Sequence, residues 1–196
     1  MGIAVIAIAS LGSMPNMFYV GLILFQLLLI QMNSFSMNNY FDYKAWKEKN
    51  YIGKLLKSGF NECLLIFLTL VPLVVMIFTI PFSNSYIWIL LAYIILFFLY
   101  QAQPFRLKNN WFASIILNSL CLGLILYIYP YLFLADGLTL TAIIFSIIFF
   151  FYLSFHEVVH QIAHIGRDKI HSLPDAIGIR KSVNVAEMFL FIPIFA

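Results

Sequence analysis

Long apolar runs broken by short polar stretches limit what this chain can become more than any other feature. Lipid offers no partner to a bare backbone N–H or C=O, so a run of roughly 20 apolar residues crosses the bilayer core as a helix. Such runs fall near residues 17–41, 60–81, 85–103, 112–134, 138–164 and 184–196. Composition points the same way: 63% of residues are hydrophobic and 10% are charged, which sets the chain apart from soluble domains. The expected fold is all-α, a multi-spanning transmembrane helical bundle forming a single domain over 1–196. The segment 1–10 is too short to span, and so is the terminal run ending "FLFIPIFA", which has no polar flank. The chain is therefore expected to be a piece of a longer protein or to lack its outer helices.

Smaller signals narrow the class. The N-terminus has no basic stretch ahead of its apolar residues, so a cleaved signal peptide is not expected, and "MGIAVI" lacks the Ser or Thr of a myristoylation site. Cys63 and Cys121 sit in apolar segments with no CxxC partner, which argues against a disulfide framework or a cysteine zinc site. The basic residues sort by loop. Lys44, Lys47, Lys49, Lys54 and Lys57 follow the first full span. Arg106 and Lys108 follow the third, and Arg167, Lys169, Arg180 and Lys181 follow the fifth. The alternate loops, "PFSNS" and "LADG", have none, so every Lys and Arg falls on one side, which the positive-inside rule makes the cytoplasm.

Topology does not explain the polar residues within the spans. Gln31, Ser34, Asn38 and Asp42 follow steps of three, four and four, and share one helical face. Tyr152, His156, His160, His164 and Asp168 form a second stripe, each four apart. Both run toward the basic surface, where they would suit an anionic headgroup or a metal-bound diphosphate. Interhelical hydrogen bonding is the plainer account of Gln31, Ser34, Asn118 and Tyr152. Ionisable Asp42 and the histidines are costly at this depth and point to function. The stretch "HEVVH" also spells HExxH, in which His156 and His160 would bind Zn²⁺ and Glu157 would act as general base. That reading needs a third ligand. His164 lies about 12 Å along the axis from His156; Asp136 falls on the other side of the membrane, which leaves Asp42.

Three stretches together resemble the UbiA superfamily of intramembrane prenyltransferases. "NNYFDYKAWKEKN" is similar to the first aspartate-rich motif, NDxxDxxxD. "YQAQPFRLKNN" is similar to the loop YSAPPxRLK, and "HEVVHQIAHIGRDKIHSLPDAIG" to the second aspartate-rich motif with its trailing TLPxxxG. Their order fits the family, and the resemblance covers nearly the whole chain. Departures are specific: Asn39 and Trp46 stand where the first motif has aspartates, and His164 or His160 falls at the first aspartate of the second.

The resemblance implies a UbiA-like fold and transfer of a prenyl group from an isoprenoid diphosphate to an aromatic or other lipophilic acceptor in the membrane. It implies Mg²⁺ held at Asn38, Asp42, His164 and Asp168, with Asp42 and Asp168 as the catalytic acids. Asn38, Lys44, Arg106, Lys108, His160, Arg167 and Lys169 are implied around the diphosphate. Hard cations favour oxygen ligands and neutralise a leaving diphosphate, and basic side chains take the remaining oxygens. The expected partners are the diphosphate, the acceptor and membrane lipid, with no nucleic acid. Two alternatives stand beside this: an inactive protein that keeps the fold, and a zinc protease.

Overall fold

The computed structural model describes residues 2–11, 15–47, 49–78, 86–135, 137–165 and 172–195. Every regular element among them is helical: α1 (Gly2–Ala9), α2 (Met17–Trp46), α3 (Tyr51–Lys57), α4 (Glu62–Phe78), α5 (Tyr86–Gln101), α6 (Trp111–Leu134), α7 (Leu140–Ala163), α8 (Leu173–Ile177) and α9 (Ile179–Phe195). A short 3₁₀ turn, Leu107–Asn109, precedes α6. Among the described residues, three helices are long and apolar enough to cross a membrane: α2 with 30 residues, and α6 and α7 with 24 each. At 1.5 Å per residue, 24 residues extend about 36 Å against a hydrocarbon core of roughly 30 Å. This is an all-helical, membrane-embedded chain. Helices α4 and α5 are apolar but shorter, at 17 and 16 residues, and the stretch 79–85 between them lies outside the described residues. Large apolar side chains such as Phe35, Phe67, Trp88, Ile95 and Leu140 face outward, as lipid allows.

The chain packs as two compact units, one of residues 16–84 and one of 2–15 with 85–196. In the first, Asn16 caps α2 by accepting from the Phe18 N–H. The helix buries Ile23, Gln26, Leu27, Ile30, Asn33 and Met37, and Asn33 and Met37 meet α4 at Thr69. Proline at position 72 of α4 supplies no N–H, so the carbonyls before it need other donors. The Asn33 amide of α2 donates nearby, to the Thr69 carbonyl at 2.6 Å, one residue on from the Leu68 carbonyl that Pro72 leaves without its helical donor. Lys47 ends α2 in the left-handed conformation (φ 57°), and its ammonium lies 5.0 Å from the centroid of the Tyr43 ring. Asn50 clamps the turn that follows, accepting from the Gly53 N–H and donating to the Asn39 carbonyl.

In the second unit α7 packs on α9 and on a π-helical stretch of α6, Ser119–Ile125. Small residues make that approach close. A Cβ on Gly123 would lie 2.6 Å from the Phe149 carbonyl oxygen and 3.1 Å from Phe150 Cα, while Ser119 and Ser154 join through their hydroxyls at 2.8 Å. Ile115, Val158, Leu173 and Ala186 form one apolar core, drawn from α6, α7, α8 and α9. At the other end, Ala7 of α1 packs with Tyr127, Tyr131 and Ala142, and Ser10 bonds the Tyr127 hydroxyl at 2.8 Å. Residues 1–10, too short to span, thus contribute a packed helix. Gly178, at φ 84°, makes the corner between α8 and α9 that a side chain would strain.

Candidate functional site

The polar residues of the first unit divide between support and site. Asn38 and Asp42 lie one turn apart on α2, Asn38 half-buried and Asp42 buried. Both offer oxygen. Mg²⁺ is commonly held by one or two carboxylates together with water and substrate phosphate, so the donor chemistry of this pair fits that ion. Gln31 and Ser34, earlier on the same stripe, are half-buried. Lys44 is already engaged: its ammonium lies 2.7 Å from Glu62 Oε1, and the Tyr40 hydroxyl donates to the same oxygen at 2.6 Å. Glu62 opens α4 and was not among the residues singled out by spacing. Its signal in the sequence is an acid at the start of an apolar run, the one place where a carboxylate favours a helix.

In the second unit the basic loop is built inward. Arg106 and Lys108, which spacing alone would leave as solvated topology charges, are only 3% and 5% exposed. Arg106 takes a left-handed conformation (φ 35°) at the head of the 3₁₀ turn, and its Nε donates to Asn109 Oδ1 at 3.2 Å. Asn110 then caps α6, its Oδ1 accepting from the Phe112 and Ala113 N–H groups. The loop borders an open pocket of about 530 Å³ lined by Gln103, Phe105, Arg106, Asn109, Asn110 and Trp111, among others. A guanidinium beside amide groups and an indole can meet an anion on one side and an apolar body on the other. Just before the loop, Gln101 Oε1 is buried with no hydrogen-bond partner among the described residues, an acceptor that a hydroxyl or water would satisfy.

The histidine stripe and HExxH separate on α7. His156 and His160 face outward and His164, half-exposed, caps the helix, with the His160 and His164 ring centroids 4.2 Å apart. Glu157 turns the other way. Its Oε1 accepts from the Ser114 hydroxyl at 2.8 Å and from Gln161 Nε2 at 3.3 Å, and its Oε2 from Asn118 Nδ2 at 2.5 Å. The cage extends further, with the Tyr100 hydroxyl 3.3 Å from Ser114 Oγ and Gln161 Oε1 accepting from the Leu173 N–H at 2.9 Å. Buried in this way, the carboxylate joins α6, α7 and α8. Its partners Ser114 and Gln161 escaped sequence reasoning. The available signal was a pair of i, i+4 polar couples, Ser114/Asn118 and Glu157/Gln161, on successive spans.

Of the residues singled out by sequence, Asn38, Asp42 and Lys44 belong to the first unit, and Arg106, Lys108, His160 and His164 to the second. Arg167, Asp168 and Lys169 lie outside the described residues, as does Asp136. Among the described residues no three His, Cys, Asp or Glu side chains gather as a metal cluster. His164 offers nitrogen, which suits Mg²⁺ poorly. No protein family, characterised protein or solved structure matches this chain.

Proposed function

We propose that this chain transfers a prenyl group from an isoprenoid diphosphate to an aromatic or other lipophilic acceptor inside the membrane, with Mg²⁺ as cofactor. The observation that carries the reading is the pocket beside buried Arg106, because it is formed by the loop "YQAQPFRLKNN" that resembles the family's own. A diphosphate in that pocket would meet the Arg106 guanidinium with paired oxygens, the geometry in which arginine binds phosphate best.

In this reading Arg106 and Lys108 hold phosphate oxygens, with Arg167 and Lys169 assigned the same role by the resemblance. The resemblance assigns Mg²⁺, which when bound would neutralise charge on the departing diphosphate, to Asn38, Asp42, His164 and Asp168. The apolar helices carry the prenyl chain and keep water from the allylic carbon. The allylic C–O bond breaks and its electron pair leaves with the diphosphate. A nucleophilic atom of the acceptor bonds to that carbon and releases its proton to a basic group or water. The basic loops face the cytoplasm, where soluble diphosphates are met.

A second reading, an inactive protein with this fold, draws support from Lys44, whose charge is taken up by Glu62, and from Asn39 and Trp46 in place of carboxylates. The zinc protease draws less, since its general base already accepts three hydrogen bonds inside the core. Binding of geranylgeranyl diphosphate to the purified protein in detergent separates these. Saturable binding is expected with Mg²⁺, weakened about tenfold or more by chelator, by Asp42→Ala and by Arg106→Ala. Absence of binding in a folded sample would overturn the transferase reading and leave the inactive one.

A further inference from the structure

The outward face of α7 carries two histidines whose nitrogens suit another ion better than the Mg²⁺ and diphosphate to which the resemblance assigns them. We propose that His160 and His164 form a two-histidine site for a borderline divalent transition metal, of the Zn²⁺, Co²⁺ or Ni²⁺ class. Their rings lie 4.2 Å apart, centroid to centroid, with planes inclined by 35°. Two nitrogens that share one ion at 2.0–2.1 Å in tetrahedral geometry stand about 3.3 Å apart. Rings already this close reach that spacing by rotation about their own side-chain bonds, with no shift of the helix.

Position supports the same assignment. His160 is exposed and His164 half-exposed, whereas Glu157, Val158 and Gln161 take the buried face of the same turns. The pair ends a helix of 24 residues, about 36 Å long, so it reaches the edge of a hydrocarbon core of roughly 30 Å, where hydrated ions are present. Imidazole nitrogen selects this class of ion and rejects Mg²⁺, which demands oxygen, so the site is chemically distinct from a diphosphate-binding one. Two histidines alone would leave coordination positions for water or an exogenous ligand.

His156 lies one turn further back and about 12 Å along the axis from His164, too far for all three to share an ion. The pair is therefore His160 with His164, and not the two histidines that HExxH would choose. Glu157, bonded within the core, is no base for a water on this metal.

The test is Zn²⁺ titration of the tag-free protein in detergent against a chromophoric chelator, with Co²⁺ absorption as a second readout and no diphosphate present. Saturable binding of a single ion is expected. His160→Ala and His164→Ala should each weaken it by more than the roughly tenfold that loss of an outer partner costs. His156→Ala should leave it unchanged. His156 and His160 are exposed and His164 is only partly buried at the helix end, so folding is not at issue, and matched helicity and elution verify it. No saturable binding by the folded protein, or binding indifferent to both His160→Ala and His164→Ala, overturns the site. Loss on His156→Ala with His164→Ala silent also overturns it, and moves the ion to the HExxH pair.

Discussion

Gly123→Ala is expected to destabilise the second unit severely, by about 3 kcal/mol, lowering the thermal midpoint in detergent by roughly 5–10 °C. The added methyl would stand 2.6 Å from the Phe149 carbonyl oxygen and 3.0 Å from its carbon. Both are backbone atoms of α7, and no side-chain rotation relieves them. Either α7 moves away or the π-helical stretch of α6 rewinds, and both disturb the 2.8 Å contact between Ser119 and Ser154 one turn away. Lipid-embedded helices gain little from apolar contact alone, since lipid tails offer the same, so close backbone approach at small residues carries much of their association. Gly21→Ala is the control. Its Cβ would meet nothing within 4 Å, and alanine is the better helix former, so no loss is expected there. A Gly123→Ala protein that melts with the wild type would refute the close approach of α6 and α7.

What could be read in the sequence follows from what a bilayer enforces. The spans at 112–134 and 138–164 reappear as Trp111–Leu134 and Leu140–Ala163 because run length is the property that lipid selects. Helix α2 ends at Trp46 and not near 41, because its last turns keep their backbone hydrogen bonds after the apolar run stops; only left-handed Lys47 terminates it. Faces were harder to read. Spacing placed Gln31, Ser34, Asn38 and Asp42 on one stripe, but the side that meets Thr69 of α4 carries Asn33 and Met37. Asn33 finds its partner in the Thr69 carbonyl of another helix, and no pattern internal to α2 contains that fact. The division into two packed units was equally invisible, since periodicity says nothing of which spans cluster. Spacing identified Asn38 and Asp42 as neighbours on one face, and the basic loops as sets of charges. It could not tell exposed Lys44, paired with Glu62, from buried Arg106 beside a pocket, because burial is decided by the fold of the loop.

Glu157→Ala is the second large effect expected, a loss of about 2–4 kcal/mol read as a lower melting midpoint and earlier proteolysis near α8. Three donors, from Ser114, Asn118 and Gln161, lose their acceptor together. A stranded buried donor costs about 1–3 kcal/mol in soluble cores, whereas hydrogen bonds between membrane helices average nearer 0.6 kcal/mol, so the sum falls between these limits. Gln161 also accepts from the Leu173 N–H, so loosening its side chain frees the start of α8. Glu157→Gln should cost clearly less. The new amide keeps one acceptor, and Asn118 can turn its own amide to present oxygen to the new N–H₂ group. The pair of variants distinguishes two roles for one residue. A structural acceptor gives a large loss with Ala, a small one with Gln, and no change in metal binding by α7. A general base gives the reverse order of interest: Gln folds and melts like the wild type yet abolishes any proteolytic activity, because its amide cannot take a proton from water. The hydrogen-bond geometry around Glu157 favours the first outcome, since the carboxylate faces the core while His156 and His160 face outward.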